Sequence, residues 1–185
     1  MNTDTPILKE LNQRKSVRGF LPKEIEPEKL DALWAAAQWA PSGSNRQDWH
    51  YYAVLGDARQ KLAEVLNPGN QWALNAPLIL CVTRDASIEN KIESRSYGMY
   101  NTALSAMSLV VEAEHQGLRA HQMAGFKEEP FRRVLHISEN ETPVVMIAVG
   151  YEAEAKGLDP ATQEKEARPR TRKPVEEVVK IVRDL

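Results

Sequence analysis

Leu78-Ile79-Leu80-Cys81-Val82-Thr83 is a continuous apolar run entered from Pro77. A strand wetted on one face alternates apolar and polar residues, so a run without alternation is the pattern of a strand covered on both faces. Val144-Val145-Met146-Ile147-Ala148-Val149, bounded by Pro143, repeats it. Between the two lies the longest helix expected in the chain, Tyr100 to Gln116, where Ala103, Leu104, Ala106, Met107, Val110 and Val111 form an apolar band wider than one stripe. Ala103, Ser105, Ala106 and Ser108 are small enough to let another helix approach closely. Such a helix is either a subunit interface or the central helix of the core. Gly117 stands where a left-handed cap would end it.

Working outward, Ile7 to Arg14 forms a short helix with Ile7, Leu8 and Leu11 on its apolar side. Pro27 opens a second helix, in which Leu30, Leu33, Trp34 and Ala37 recur at three- and four-residue steps until Pro41 forbids continuation. His50 to Leu55 reads as a strand. Asp57 would cap a helix through Leu66 that Asn67-Pro68-Gly69-Asn70 stops. Phe131, Val134 and Leu135 mark a short helix after Pro130. Glu152 to Ala167 lacks periodicity and reads as a loop long enough to be an arm or lid, and Pro174 begins a last helix carrying Val175, Val178, Val179 and Val182.

The 185 residues suit one domain that buries roughly two thirds of its surface. Lys+Arg 24 against Asp+Glu 26 leaves no basic excess for a phosphate polymer, which argues against a nucleic-acid binder. No apolar run is long enough to span a bilayer, and Met1 to Pro6 shows no secretory leader, so the expectation is a soluble cytoplasmic protein with no membrane partner. The lone Cys81 reads as a small buried filler.

Side chains that perform chemistry by themselves are scarce. His50, His115, His121, His136 and Cys81 show no metal-ligand spacing, and no metal site is expected. There is no Gly-x-Ser-x-Gly, no phosphate loop and no dinucleotide fingerprint. Ser42-Gly43-Ser44 reads as a turn, since no histidine with a carboxylate partner can be nominated beside it. Arg14-Lys15-Ser16-Val17-Arg18 is different. Arg14, Ser16 and Arg18 alternate, so in an extended segment they fall on one side and can converge on one anionic group, which suits the paired donors of guanidinium. The same cluster also reads as a solvated basic helix end.

Three further stretches follow in order: Ala40-Pro41-Ser42-Gly43-Ser44-Asn45-Arg46-Gln47-Asp48-Trp49, then Gly117-Leu118-Arg119-Ala120-His121-Gln122-Met123-Ala124-Gly125-Phe126, then Arg170-Thr171-Arg172-Lys173-Pro174. With the basic cluster they resemble the flavin-contacting segments of the FMN-dependent nitroreductase family, from about residue 9 to about residue 180. The resemblance implies an α+β fold, a three-layer α/β/α sandwich around a mostly antiparallel mixed sheet. Residues 1–167 would be the FMN-binding domain and 168–185 a C-terminal extension, with Lys173 to Leu185 exchanged onto the partner subunit of a homodimer. Arg14, Lys15 and Ser16 would lie at the FMN phosphate, with Arg172 and Arg170 returning to the same group. Arg18 would lie near N1 and O2 of the ring, where its charge favours the anionic reduced form. Pro41, Ser42, Gly43 and Asn45 resemble the loop that reaches the flavin of the partner subunit. Asn70 would meet the pyrimidine edge, and Ala124 and Gly125 match the segment whose backbone faces N5. His121 reads as a structural histidine or as a proton donor to substrate, and Trp72 as core or as an aromatic wall.

The implied activity is ping-pong hydride transfer from NAD(P)H through the flavin to a small electron-poor acceptor such as a nitroaromatic or quinone. Because the flavin carries the chemistry, no catalytic side chain is required. Two alternatives stand beside it: a reductive dehalogenase or oxygen-using branch of the superfamily, and a flavin-binding protein without turnover. Four positions depart from the family pattern: Gly43 replaces a serine, Asp48 a proline, Asn101 an aspartate and Lys127 an aspartate.

Overall fold

A computed structural model describes residues 6–183. The leader reading of Met1 to Thr5, and Asp184 and Leu185 of the expected exchanged piece, lie outside the described residues. The main sheet has four strands in the order β1-β2-β6-β5, with β1 Trp49–Leu55, β2 Leu78–Asp85, β5 Arg119–Met123 and β6 Glu141–Gly150. All three pairings within it are antiparallel, and a bulge falls between Val82 and Thr83 of β2. A separate hairpin joins β3 Lys91–Ile92 to β4 Arg95–Ser96.

The two apolar runs are the central strands β2 and β6, and both faces of β2 are covered. Ile79 and Cys81 point into a core with Val17, Phe20, Leu62, Leu66, Trp72 and Phe131, while Leu78, Leu80 and Val82 point into a second core with Leu33, Ala37, Leu109 and Val110. Side chains alternate along a strand, so an unbroken apolar run supplies both cores at once. Helices α2 Pro27–Gln38 and α3 Gly98–His115 cover the second face; two 3-10 turns, Gly56–Glu64 and Pro68–Asn75, with α4 Glu128–Leu135, cover the first. The result is the expected three-layer α+β sandwich.

Helix α3 is a central helix of the second core on one side, while Ala103 is exposed and Leu104, Met107 and Val111 of its apolar band are only half-buried. Its buried line runs Asn101, Thr102, Ser105, Ala106, Leu109, Val110 and Ala113, so the small residues let it lie flat on α2 and the sheet. Met99 and Tyr100 at its start, and Trp39 just past α2, stay exposed. Gly117, at φ 73, ends α3 through the left-handed region as expected.

Three expectations are corrected. The segment after β1 folds as a 3-10 turn without a side-chain cap from Asp57. Glu152 to Ala167 holds a helix, α5 Pro160–Ala167: Asp159 accepts from the Thr162 N–H at 3.1 Å and Pro160 occupies the first turn, the donor-capped start that Asp-Pro encodes. The last helix, α6, spans only Val175–Val178 and buries nothing, because so short an apolar helix persists only where another surface packs on it. Val175, Val178, Val179, Ile181 and Val182 are exposed, as are Ile7, Leu8 and Leu11 on and beside α1 Lys9–Gln13.

Candidate functional site

The basic cluster follows α1, where Arg14 Nη1 donates to Ser16 Oγ at 3.4 Å. Both ends of the chain meet here. Arg170 donates to the carbonyls of Asn12 and Arg14, capping the end of α1. Burial pushes the Arg14 pKa down, and the charges of Arg172 and Arg170 push it further. Among the described residues, none of Arg14, Arg170 and Arg172 forms an ion pair with a carboxylate, and Glu114, which acts on Arg14 from beyond ion-pair distance, offsets only part of the three like charges. That costs free energy unless an anion joins them. Arg172 has its guanidinium on the neighbouring Thr171 carbonyl alone. Arg170, expected at the phosphate, has its donors turned onto α1 and serves first to fasten the C-terminal segment.

Lys15 and Arg18 are held differently. Glu166 of α5 pairs with Arg18 at 2.8 Å and reaches Lys15 at 3.9 Å, with its own side chain largely buried. Nothing local announces this partner, which is 148 residues from Arg18 in sequence. Arg18 also lies over the Trp72 ring at 5.9 Å, Trp72 stacks with Phe20, and the His121 ring is 4.6 Å from Trp72. Trp72 is a buried residue of the first core, with Arg18 and His121 against its ring.

His121 Nδ1 is 2.8 Å from the Val17 carbonyl, which can only accept, so the proton sits on Nδ1. Burial holds the ring's pKa below its usual value, which the nearby Arg18 charge reinforces. The neutral ring carries its one proton on Nδ1, already committed to the Val17 carbonyl, the arrangement of a structural histidine. Asn70 Nδ2 donates to the Gly125 carbonyl at 2.9 Å, and a Cβ at Gly125 would come within 2.6 Å of that nitrogen. A side chain at 125 would push the Asn70 amide out of this bond. Ala124 precedes it on the segment leaving β5 and is exposed.

The Pro41–Asn45 loop is elsewhere. Asp48 and Trp49 abut Asp85 and Arg84 at one end of β2, whereas His121 registers through Ala148 with Ile79 near the other. At about 3.3 Å per residue those ends are roughly 20 Å apart, so within one chain the loop and the cation cluster do not share a ligand. The loop is tightly wound: Ser44 and Asn45 each have φ 53 and Gln47 φ 49. Ser42 Oγ accepts from the Gln47 N–H at 3.0 Å, and the Gly43 N–H donates to Asn101 Oδ1 at 3.0 Å. Two family departures, Asp48 and Asn101, meet in a 2.9 Å hydrogen bond; at a third, Gly43, a Cβ would lie 3.1 Å from Asn90 Nδ2, which a small shift of that side chain would accommodate. Lys127 stands at the start of α4 and nothing in the structure explains it.

A groove of about 610 Å³ opens beside Lys15 and Glu166, between the stretch after β6 and α5. No group of metal-ligating side chains occurs among the described residues, and no described helix is long and apolar enough to cross a membrane.

Comparison with known proteins adds a consistent set of likenesses. A family model described as "Nitroreductase family" matches residues 11–71 and 64–151. A nitroreductase, NfnB, of Mycolicibacterium smegmatis is 47% identical over 53 residues, 29% of this chain and 23% of that protein. An FMN reductase (NAD(P)H) of Bacillus subtilis is 23% identical over 171 residues, 83% of this chain and 69% of that one. A solved structure of an oxidoreductase containing FMN superposes with TM-score 0.88 at 25% identity, over 98% of this chain and 94% of that chain.

Proposed function

This chain belongs to the nitroreductase family and is an NAD(P)H-dependent FMN oxidoreductase, and we propose that Arg14, Ser16 and Arg172 hold the FMN phosphate at the junction of its two ends. The observation that carries this reading is the gathering of Arg14, Arg170 and Arg172 with no carboxylate in an ion pair with any of them among the described residues, a concentration of positive charge that suits a polyanionic group. The rest of the site fits the remaining parts of FMN. Trp72 supplies an aromatic flank, and the glycine at 125 leaves backbone accessible beside Asn70. When bound, the flavin supplies the two-electron hydride chemistry that no side chain of this site can perform.

The chain's own residues do the rest. Arg18 places a cation beside the Trp72 wall, where it favours negative charge on a bound ring, and Glu166 orients it and offsets part of its field. Lys15 shares Glu166 and contributes general positive potential. Asn70 fixes the Gly125 peptide by its hydrogen bond to the carbonyl. His121, neutral and tied to Val17, holds the basic segment against β5; protons for the product come from solvent.

The loop of Pro41, Ser42, Gly43 and Asn45 lies across the sheet from this cluster, which supports a site completed by a second copy of the chain. The exposed apolar side chains of α1 and of residues 175–182 supply surface for that homodimer. The acceptor is a small electron-poor molecule, a nitroaromatic or a quinone, and the protein works in the cytoplasm. The test is colour. Purified protein should carry yellow absorbance that bleaches on anaerobic addition of NADH or NADPH and returns with a quinone or nitroaromatic. Colourless protein that added FMN does not stabilise would remove the assignment.

A further inference from the structure

Asn101, in the first turn of α3, is fully buried and has one carboxamide in contact with two different polar groups. Its oxygen accepts from the Gly43 N–H at 3.0 Å, and its nitrogen donates to Asp48 Oδ1 at 2.9 Å. Asp48 is also fully buried, and its other oxygen, beside Gly98, has no hydrogen-bond partner among the described residues. A carboxylate only accepts and a backbone N–H only donates. One orientation of the amide therefore satisfies both neighbours, and the flipped one satisfies neither.

We propose that Asn101 is the positioning residue of the Pro41–Asn45 loop, and that the buried carboxylate of Asp48 sets its orientation so that an oxygen always meets the Gly43 N–H. The need for such an anchor is visible in the backbone. Ser44, Asn45 and Gln47 occupy the left-handed region, which side-chain-bearing residues hold only when their surroundings fix them. The loop's other bonds, Gln47 to Ser42 and to Asn45, are internal, and the Asn90 contact to Ser44 is a weak 3.4 Å. Asn101 ties it to the rigid second core. Asp48 itself is fixed by its carbonyl, which accepts from the Asp85 N–H at 2.7 Å and locks the pair to the end of β2.

An aspartate at 101 would set two carboxylates against each other, whereas exchanging the two residues reverses the donor and restores the bond. The bearing of this pair on the cofactor rests on the proposed function, through the loop's part in a flavin site. The experiment compares wild type with Asn101→Asp, Asn101→Ala and the exchanged Asp48→Asn/Asn101→Asp protein. Amide exchange at Gly43 is read by NMR on the apoprotein relative to Leu80 of β2, which reports global opening. FMN dissociation is then read by fluorescence.

In Asn101→Asp the repulsion between the two buried carboxylates should draw residue 101 off the Gly43 N–H, so the Gly43-to-Leu80 exchange ratio should rise about tenfold or more, with FMN weakened by a similar factor. The exchanged protein should recover both to within about threefold, because only the direction of the bond has changed. Asn101→Ala removes both bonds without adding charge and should raise the ratio about tenfold as well, so it carries the test should Asn101→Asp not fold. An unchanged Gly43 ratio in either single variant, or an exchanged protein as impaired as Asn101→Asp, overturns the proposal. Faster Gly43 exchange with unaltered FMN dissociation overturns the loop's role toward the cofactor. Failure of the family reading is distinct: wild-type protein would not bind FMN, while the apoprotein exchange data still judge the pair.

Discussion

At the scale of single residues, charge that lacks a partner is the most informative feature. Arg172 and Arg14 are brought together with no carboxylate in ion-pair contact among the described residues, an arrangement that an anion shared between them would stabilise. Replacing Arg172 with alanine should weaken FMN by roughly 1.5 to 3 kcal/mol, the worth of a charge-assisted hydrogen bond; equilibrium titration of the apoprotein measures it. Arg18 and Glu166 act in opposition. Arg18→Gln should lower the midpoint potential of the bound flavin and Glu166→Gln should raise it, because one removes a cation beside the ring and the other removes its counter-charge. Equal potentials in both variants would show that the field arises elsewhere. His121 makes a pH prediction. Its folded pKa lies below the usual 6.5, so its contribution to stability is whole above that value and is lost as pH falls from there toward the folded value. His115, raised by Glu10, has the opposite sign and is unaffected by a change at 121. Wild type should lose more thermal stability than His121→Asn between about pH 7 and about pH 5, measured by calorimetry.

At the scale of elements, α5 decides whether the site has a wall on its outer side. It exists because Asp159 caps its first turn and Thr162 is buried under it, and it delivers Glu166 to Arg18 seven residues after the cap. Asp159→Ala should loosen α5, seen as faster amide exchange over residues 162–167, and should shift the flavin potential in the same direction as Glu166→Gln. A shift in the opposite sense would mean that α5 does not set the position of Glu166. The element reading from sequence failed here because Glu152 to Ala167 has no apolar periodicity, although the Asp159-Pro160 start was written in it. For β2 it succeeded: five apolar positions in a row followed by a buried threonine can be satisfied only between two layers, and both layers are present.

At the scale of the whole molecule, the cation cluster and the wound loop sit at opposite ends of the central strand, so the site proposed here needs two chains. Val178→Asp with Ile181→Asp should convert a particle of twice the 20.9 kDa chain mass to the single chain and reduce FMN retention, measured by light scattering with absorbance. A dimer that persists with both aspartates would place the interface elsewhere. What the sequence determined by itself was the buried sheet, through Leu78–Thr83 and Val144–Val149, the helix boundaries at Pro27 and Gly117, and the kinds of residue that could grip a phosphate, because these depend on local periodicity, backbone geometry and side-chain chemistry. The packing of the layers added that Glu166 pairs with Arg18, that Arg170 caps α1, that His121 is locked as a neutral donor to Val17, and that Asn101 donates to Asp48. Each of these joins residues far apart in the chain, and the distances and burial that fix their charge and hydrogen bonding exist only once the layers have packed.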